Sequence, residues 1–426
     1  MKKIFFLFLA PVILFSCKSK KTESTANSQK KSIAHPEWIM QGNIYEVNIR
    51  QYTTEGTFNA FAKNLDRLKE MGVQTLWFMP INPISKLDRK GTMGSYYAVA
   101  DYTSVNPEFG TLADWKQLVQ TSHDKGFKVI IDWVPNHAGA DHPWVINHPD
   151  FFVKDSTGKP AIPFDWTDTR QLDYNNTVMQ DSMIEAMKYW ITTTGIDGYR
   201  VDVAWNVPGQ FWQKCIPQLK ALKNEMFFLA EGDKPYLLTS GFDAFYPWEL
   251  FHMMIKVAAG ERPAFALDSI KAKYDTAYPK EAIPMYFTSN HDENSWNGTE
   301  YEKYGMMAEA LAVFSLTWNG IPLIYSGQEL PNRKRLEFFD KDAIAWTGVN
   351  ELHSFYRTLL HLRKRNRALR ACDPSAGTFM VSTSNDRSVL AYLRKKENEE
   401  LLVLLNLSGE KTAFTILDKR PVGSFR

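Results

Sequence analysis

Cysteine is scarce, neither sign of charge is in excess, and the apolar run at the N-terminus is too short to cross a bilayer. The chain has 426 residues but only three cysteines, Cys17, Cys215 and Cys372. Cys17 belongs to the N-terminal run, and the other two lie far apart. No disulfide framework follows from them, so stability must come from a buried core. Lysine and arginine number 50 against 48 acidic residues, a formal net charge of +2. That balance provides no field for steering nucleic acid, and no nucleic-acid partner is expected. Extended disorder beyond the N-terminus is not expected either, because aromatic residues make up 14% of the chain. Most of those rings are expected in the core, with some left to face a flat, weakly polar ligand such as a sugar.

At the N-terminus, Lys2-Lys3 precede the apolar stretch from Ile4 to Phe15, which has the shape of a signal peptide. It runs into Leu14-Phe15-Ser16-Cys17, which resembles the bacterial lipoprotein cleavage box. Residues 1–17 are thus expected to be a lipoprotein signal peptide, with Cys17 lipidated and the mature chain anchored in the cell envelope outside the cytoplasm. A plain secretory signal carrying a cysteine is the alternative. Residues 18–36 are polar and basic at first and are expected to form a flexible tether.

From Asn43 onward, strand-like and helix-like segments alternate. Residues 43–49, 74–79, 128–132, 198–202, 226–231, 242–246, 285–289 and 321–326 read as strands. Thr111 and Asp114 form a capping-box pattern before a helix, and Gly72 and Gly126 supply helix stops. Eight strands with intervening helices over residues 37–371 predict an α/β fold, a (β/α)8 TIM barrel. A doubly wound open sheet remains the alternative at this stage. Residues 137–176 are too long for an ordinary connection and are expected to be a small subdomain after strand three. After a helix near 351–367, short strands over 378–383, 388–394, 401–406 and 411–417 predict an antiparallel β domain over 372–426, short or truncated. The basic cluster Arg363-Lys364-Arg365 reads as a solvated helix face.

Asp202, Glu231 and Asp292 each follow an apolar, strand-like run. A carboxylate in such a place costs desolvation energy unless something pairs with it or uses it. In a parallel barrel the C-terminal strand ends converge on one site, which would gather Asp132, Asn136, His137, Arg200, Asp202, Glu231, His291 and Asp292. Carboxylates with His and Arg allow metal-assisted hydrolysis, or nucleophilic and acid/base work on an acetal. Arg200, two residues before Asp202, is expected to lower that carboxyl's pKa, as a nucleophile needs. Glu231, after Phe227-Phe228-Leu229-Ala230, is expected to have a raised pKa and to act as general acid.

Four segments carry a family resemblance: Asp132-Trp133-Val134-Pro135-Asn136-His137, Gly198-Tyr199-Arg200-Val201-Asp202, the strand ending at Glu231, and Ser289-Asn290-His291-Asp292. They resemble the signature regions of the α-amylase superfamily of retaining glycoside hydrolases (glycoside hydrolase family 13), in the family's order. The segments 76–83, 96–111 and 320–329 resemble supporting motifs. The resemblance implies that Asp202 is the nucleophile, Glu231 the acid/base, and Asp292 the residue that holds the distorted sugar. It implies that Arg200 orients Asp202, that His137 and His291 bind sugar hydroxyls, and that Tyr97 stacks on the ring. The implied activity is hydrolysis of α-1,4-glucosidic bonds in starch-derived poly- or oligosaccharides. Transglycosylation or cleavage of a small α-glucoside is the alternative within the family, and a non-catalytic sugar-binding barrel the alternative outside it. Two departures bear on this. Trp205-Asn206 stands where many endo-acting relatives carry Lys-His, so Trp205 is expected to offer a stacking face on the leaving-group side. The family's calcium site implies Asn136 and an acid in the excursion. Gln171 occupies that acid's place, leaving Asp173 as the stand-in for a structural Ca2+ that the chemistry does not require.

Overall fold

The computed structural model describes residues 35–420. Cys17, the signal segment and most of the tether therefore lie outside the described residues. The end of the tether does not. His35 Nδ1 lies 3.0 Å from Asp243 Oδ1 and its Nε2 lies 2.7 Å from the Glu281 carbonyl, so the anchored chain starts before residue 37.

The strands in chain order are β1 Ile44–Val47, β2 Thr75–Phe78, β3 Lys128–Trp133, β4 His137–Gly139, β5 Thr169–Gln171, β6 Gly198–Val201, β7 Phe227–Ala230, β8 Ala244–Phe245, β9 Ile283–Tyr286 and β10 Ile321–Tyr325. Eight of them close a barrel in the order β1-β10-β9-β8-β7-β6-β3-β2. Closure excludes the open sheet, because Ile44 of β1 pairs in parallel with both Thr75 of β2 and Leu323 of β10. Nearly every barrel-strand residue is buried, since helices cover the outside and side chains fill the inside. β6 begins with glycine for a steric reason: a Cβ at Gly198 would lie 2.1 Å from the Phe227 carbonyl oxygen of β7.

Two strand boundaries differ from expectation. β1 stops at Val47 rather than Ile49, because the Asn48 side chain accepts from Gln51 N and caps a short helix, Ile49–Tyr52. β8 shrinks to two residues, with Asp243 Oδ2 diverted to accept from Phe228 N at 2.8 Å. The helix Leu112–Asp124 does open on the expected capping box of Thr111 and Asp114.

Residues 137–176 form the expected small excursion, built on the antiparallel pair β4 and β5. Beyond the barrel, β11 Gly377–Met380, β12 Val389–Lys396 and β13 Glu399–Asn406 form an antiparallel sheet. The fourth expected strand, 411–417, is reduced to one bridge between Ile416 and Thr383. There Thr383 commits its N–H and hydroxyl to Asp386 Oδ1, which turns the chain away from the edge.

The basic cluster on the helix His353–Arg365 also departs from its reading. Arg363 is fully buried; its Nε donates to the Gly42 carbonyl at 2.8 Å and its Nη2 to Gly320 at 2.7 Å. It fastens the last helix to the segments that enter β1 and β10. Arg363→Ala would leave those carbonyls without donors and open a hole, and is expected to destabilise the fold by about 2–5 kcal/mol. A fall in the urea midpoint without change in slope would measure this.

Candidate active site

The three acids meet at the C-terminal mouth of the barrel. Asp202, Glu231 and Asp292 line one cavity of about 380 Å³, together with Tyr97, His137, Trp166, Asp168, Trp296 and Phe338. Each acid arrives one to six residues past a strand end, on β6, β7 and β9. The ladder carries Asp202 one residue beyond β6, with its N–H donating to the Trp133 carbonyl at 2.8 Å. The next residue, Val203, lies in the left-handed region at φ +44, and its N–H donates to Glu231 Oε2 at 2.8 Å. A β-branched residue in that conformation costs on the order of 1–3 kcal/mol, a strain typical of sites where geometry is over-determined. Here the strained peptide ties the segment after Asp202 to Glu231.

Arg200 is buried beneath the acids and divides its charge among them. Its Nη1 donates to Asp132 Oδ1 at 2.9 Å and to Asp202 Oδ1 at 3.2 Å, while its Nη2 lies 3.0 Å from Glu231 Oε1. This changes the electrostatic expectation for Asp202. Burial and the neighbouring Glu231 carboxylate push its pKa well above the usual range, and Arg200, shared three ways, does not offset them. The low pKa expected of Asp202 is therefore not found.

A second network runs behind Asp292. Tyr97 donates its hydroxyl hydrogen to Asp132 Oδ2 at 3.0 Å, and the Tyr97 hydroxyl oxygen lies 2.7 Å from His291 Nε2. With its hydrogen already given, Tyr97 can only accept there, so Nε2 carries a proton. His291 Nδ1 faces Glu46 Oε1 at 2.5 Å, a contact that needs a second proton between them. Burial works against a charged ring, but Asp292 and Glu46 outweigh it and hold the His291 pKa well above its ordinary value. His291 Nε2 also lies 3.2 Å from Asp292 Oδ2. Burial would raise the Asp292 carboxyl, yet His291 and then Arg200 draw it below its ordinary value. Tyr97 stacks on His291 at 5.4 Å and on Phe338 at 6.2 Å, forming one aromatic wall.

His137 is the other expected sugar-binding histidine, and it is neutral. Burial lowers its pKa to about 4, and it packs against Trp166 with centroids 5.1 Å apart. The unfolded chain binds a proton below about 6.5 that the folded site refuses until about 4. His137 thus contributes stability above pH 6.5, and that contribution is lost as pH falls from 6.5 towards 4. Its ring resonances are expected to titrate near pH 4 by NMR; a midpoint near 6.5 would contradict the site.

The donor set at Asn136 and Asp173 does not fit calcium. Asn136 Oδ1 accepts from Gln171 Nε2 at 3.0 Å and from Asn206 Nδ2 at 2.8 Å. Asp173 Oδ1 is turned to Asn175, accepting from its N–H and side-chain amide at 2.9 Å each. Ca2+ takes six to eight oxygens, including carboxylates, whereas two amide nitrogens converge here on one oxygen. Among the described residues no cluster of three or more His, Cys, Asp or Glu side chains is arranged for a metal ion. Gln171 and Asn206, two of the three residues that depart from the family pattern, together fill the place.

Trp205 does not line the cavity; it stands beside it on a one-turn helix, Ala204–Asn206, and is 42% exposed. Sequence reading missed Glu46, Trp166, Trp296 and Phe338. For Glu46 a signal existed, a lone acid inside the apolar strand β1. The others sit in connections without periodicity.

A (β/α)8 barrel with an Arg-bridged carboxylate cluster at its C-terminal mouth has the layout of a glycoside hydrolase site. The family model for the α-amylase catalytic domain matches residues 22–171 and 162–347. A maltogenic α-amylase, AmyB from Thermotoga neapolitana, superposes with a TM-score of 0.82 at 30% identity, covering 89% of this chain and 88% of that one. An α-amylase from Lactobacillus plantarum gives the same TM-score of 0.82 and 30% identity over 91% and 93% of the two chains. The α-amylase MalA of Haloarcula japonica is 28% identical over 393 residues, 88% of this chain but 57% of its own length. The chain belongs to the α-amylase family.

Proposed function

We propose that the chain is a retaining α-glucan hydrolase that cleaves α-1,4-glucosidic bonds in starch-derived poly- or oligosaccharides. One observation carries the reading: Asp202, Glu231 and Asp292 share one aromatic-walled cavity and are tied together from beneath by Arg200 and His291. In this mechanism Glu231 gives its proton to the glycosidic oxygen while Asp202 attacks the anomeric carbon, forming a glycosyl-enzyme. Water activated by Glu231 then releases the sugar with retained configuration. Asp292, held ionised by His291, accepts from hydroxyls of the distorted sugar and strengthens that contact as the ring flattens. Tyr97 supplies the stacking face, and His137, neutral, donates to a hydroxyl. The relatives named as α-amylases and maltogenic α-amylase support an α-glucan substrate.

The test is product analysis. Protein lacking residues 1–17 would be given amylose, maltooligosaccharides, pullulan, sucrose and trehalose, with nascent products followed by NMR. An α-anomer formed first is expected from maltooligosaccharides; a β-anomer would sink retention. Absence of turnover on every substrate would favour a sugar-binding barrel. We further propose that Cys17 is lipidated and anchors the enzyme in the cell envelope, on the strength of Lys2-Lys3, the apolar run and the Cys17 box. Among the described residues no helix is long and apolar enough to cross a membrane. Mass spectrometry of the mature N-terminus decides the matter: diacylglycerol on Cys17 is expected, and an unmodified cysteine would refute it.

A further inference from the structure

Two buried cations at the end of the barrel away from the acids lack a counter-charge. Arg394 on β12 is fully buried, and so is Arg363 on the helix His353–Arg365. Arg363 donates to the carbonyls of Gly42, Leu316 and Gly320, all of them neutral. Arg394 Nη2 donates to the Arg370 carbonyl at 3.3 Å, while its Nε and Nη1 meet no acceptor among the described residues. The titratable groups that act on Arg394 are Tyr392, Cys372 and Tyr286; those that act on Arg363 are Arg394 and Cys372. None supplies a negative charge. Burial pushes the Cys372 thiol up to about 12 and raises both tyrosines. Burial, and then the Arg394 charge, pulls Arg363 down to about 9. A charge held in such a place needs an ionic partner.

A cavity of about 400 Å³ adjoins this pair, lined by Cys372, Tyr286 and Thr378 among others. It lies where Ala282 leads into β9 and Asn319 into β10, at the N-terminal ends of the strands. The sheet register puts Arg394 directly behind its wall. Thr378 pairs with Arg394 across β11 and β12, so their side chains share one face of the sheet. Tyr392, two residues earlier on that face, packs edge-on against Trp318 at 4.7 Å, so the face looks onto the barrel. Thr378 Oγ1 is itself buried without a partner. Both acids in the cavity wall are committed elsewhere, Asp373 to Lys396 and Arg370, and Asp275 to Lys271. A buried water would give the idle N–H groups an acceptor but no charge. We propose that Arg394 and Thr378 form an anion site, in which a small inorganic anion reached through this cavity accepts from the idle guanidinium N–H and the Thr378 hydroxyl. The bound anion pins the β11–β13 sheet to the barrel, and the catalytic acids take no part.

The probes are bromide and inorganic phosphate, each titrated against gluconate at constant ionic strength. An ion that binds the folded state alone raises the melting temperature saturably, by about 3 °C at a hundredfold excess over Kd. A general salt effect would grow without saturating. Crystals soaked in bromide are expected to show an anomalous peak within hydrogen-bond reach of Arg394 Nε or Nη1; if phosphate alone saturates, arsenate supplies that signal. Saturation by bromide alone assigns a halide, and by phosphate alone an oxyanion. Arg394→Met is expected to remove the saturable rise, and Thr378→Val to weaken Kd about tenfold. Should Arg394→Met fail to fold, Thr378→Val and the anomalous peak carry the test. An unchanged Kd in Thr378→Val overturns the site. So does melting that is indifferent to the anion with no peak beside Arg394, which would leave water as the partner.

Discussion

Asp202→Asn is expected to abolish turnover of maltooligosaccharides, lowering kcat by a factor on the order of 10^4 or more while the fold persists. The amide is isosteric with the carboxylate, so Arg200 Nη1 can still donate to the side-chain oxygen at this position. What is lost is the negative charge and the lone pair that attacks the anomeric carbon. The substitution also removes the charge repulsion between residue 202 and Glu231, one of the causes that raise the Asp202 pKa. Binding should survive, because Tyr97, His137, Trp166 and Asp292 still line the cavity. The checks are single-turnover kinetics beside isothermal titration with maltopentaose. Activity within tenfold of the unsubstituted enzyme would remove Asp202 from the mechanism.

Glu46→Gln is expected to be the most damaging change at a residue that touches no substrate. Glu46 lies fully buried on β1, and the proton between its Oε1 and His291 Nδ1 is what lets His291 act as a donor from both nitrogens. Glutamine fills the space without the charge, so the His291 pKa falls and Nε2 no longer holds Asp292 ionised so strongly. The sign follows directly. Asp292 must be ionised to accept from the sugar, His291 lowers its pKa, and weakening His291 raises it. The Asp292 carboxyl is therefore expected to titrate at higher pH when followed by NMR, with kcat at the pH optimum down about 10- to 100-fold, as for other buried partners of site residues. KM should move less, since the cavity wall is unchanged. A purely structural role for Glu46 would lower the melting temperature and leave the His291 and Asp292 titrations in place.

The parts legible in the sequence and the parts that were not divide along a physical line. Asp202, Glu231 and Asp292 stood at the ends of apolar runs, where a charge is costly enough to need a reason, and the barrel did bring them together. Strands β3, β6, β7 and β10 were readable because burial on both faces leaves continuous apolar runs. What stayed hidden depends on contacts between distant segments. The division of Arg200 among three carboxylates, from β3, β6 and β7, inverts the expected pKa of Asp202, and no spacing rule contains it. Arg363 looked solvated because its neighbours Lys364 and Arg365 are; only the carbonyls of Gly42 and Gly320, remote in sequence, show why it is buried. Phe338 and Trp296 occupy connections whose paths are set by packing rather than by local propensity.

The amide clasp at Asn136 has a mechanical consequence. One oxygen receives hydrogens from Gln171 on β5 and from Asn206 in the turn after Asp202, so the excursion and that turn hang from the same peg. Tilting the hairpin of β4 and β5 would pull on that turn, and with it on Trp205. The excursion and the turn that follows Asp202 therefore share one hydrogen-bond acceptor, and Asn136→Ala, which removes it, would free both at once.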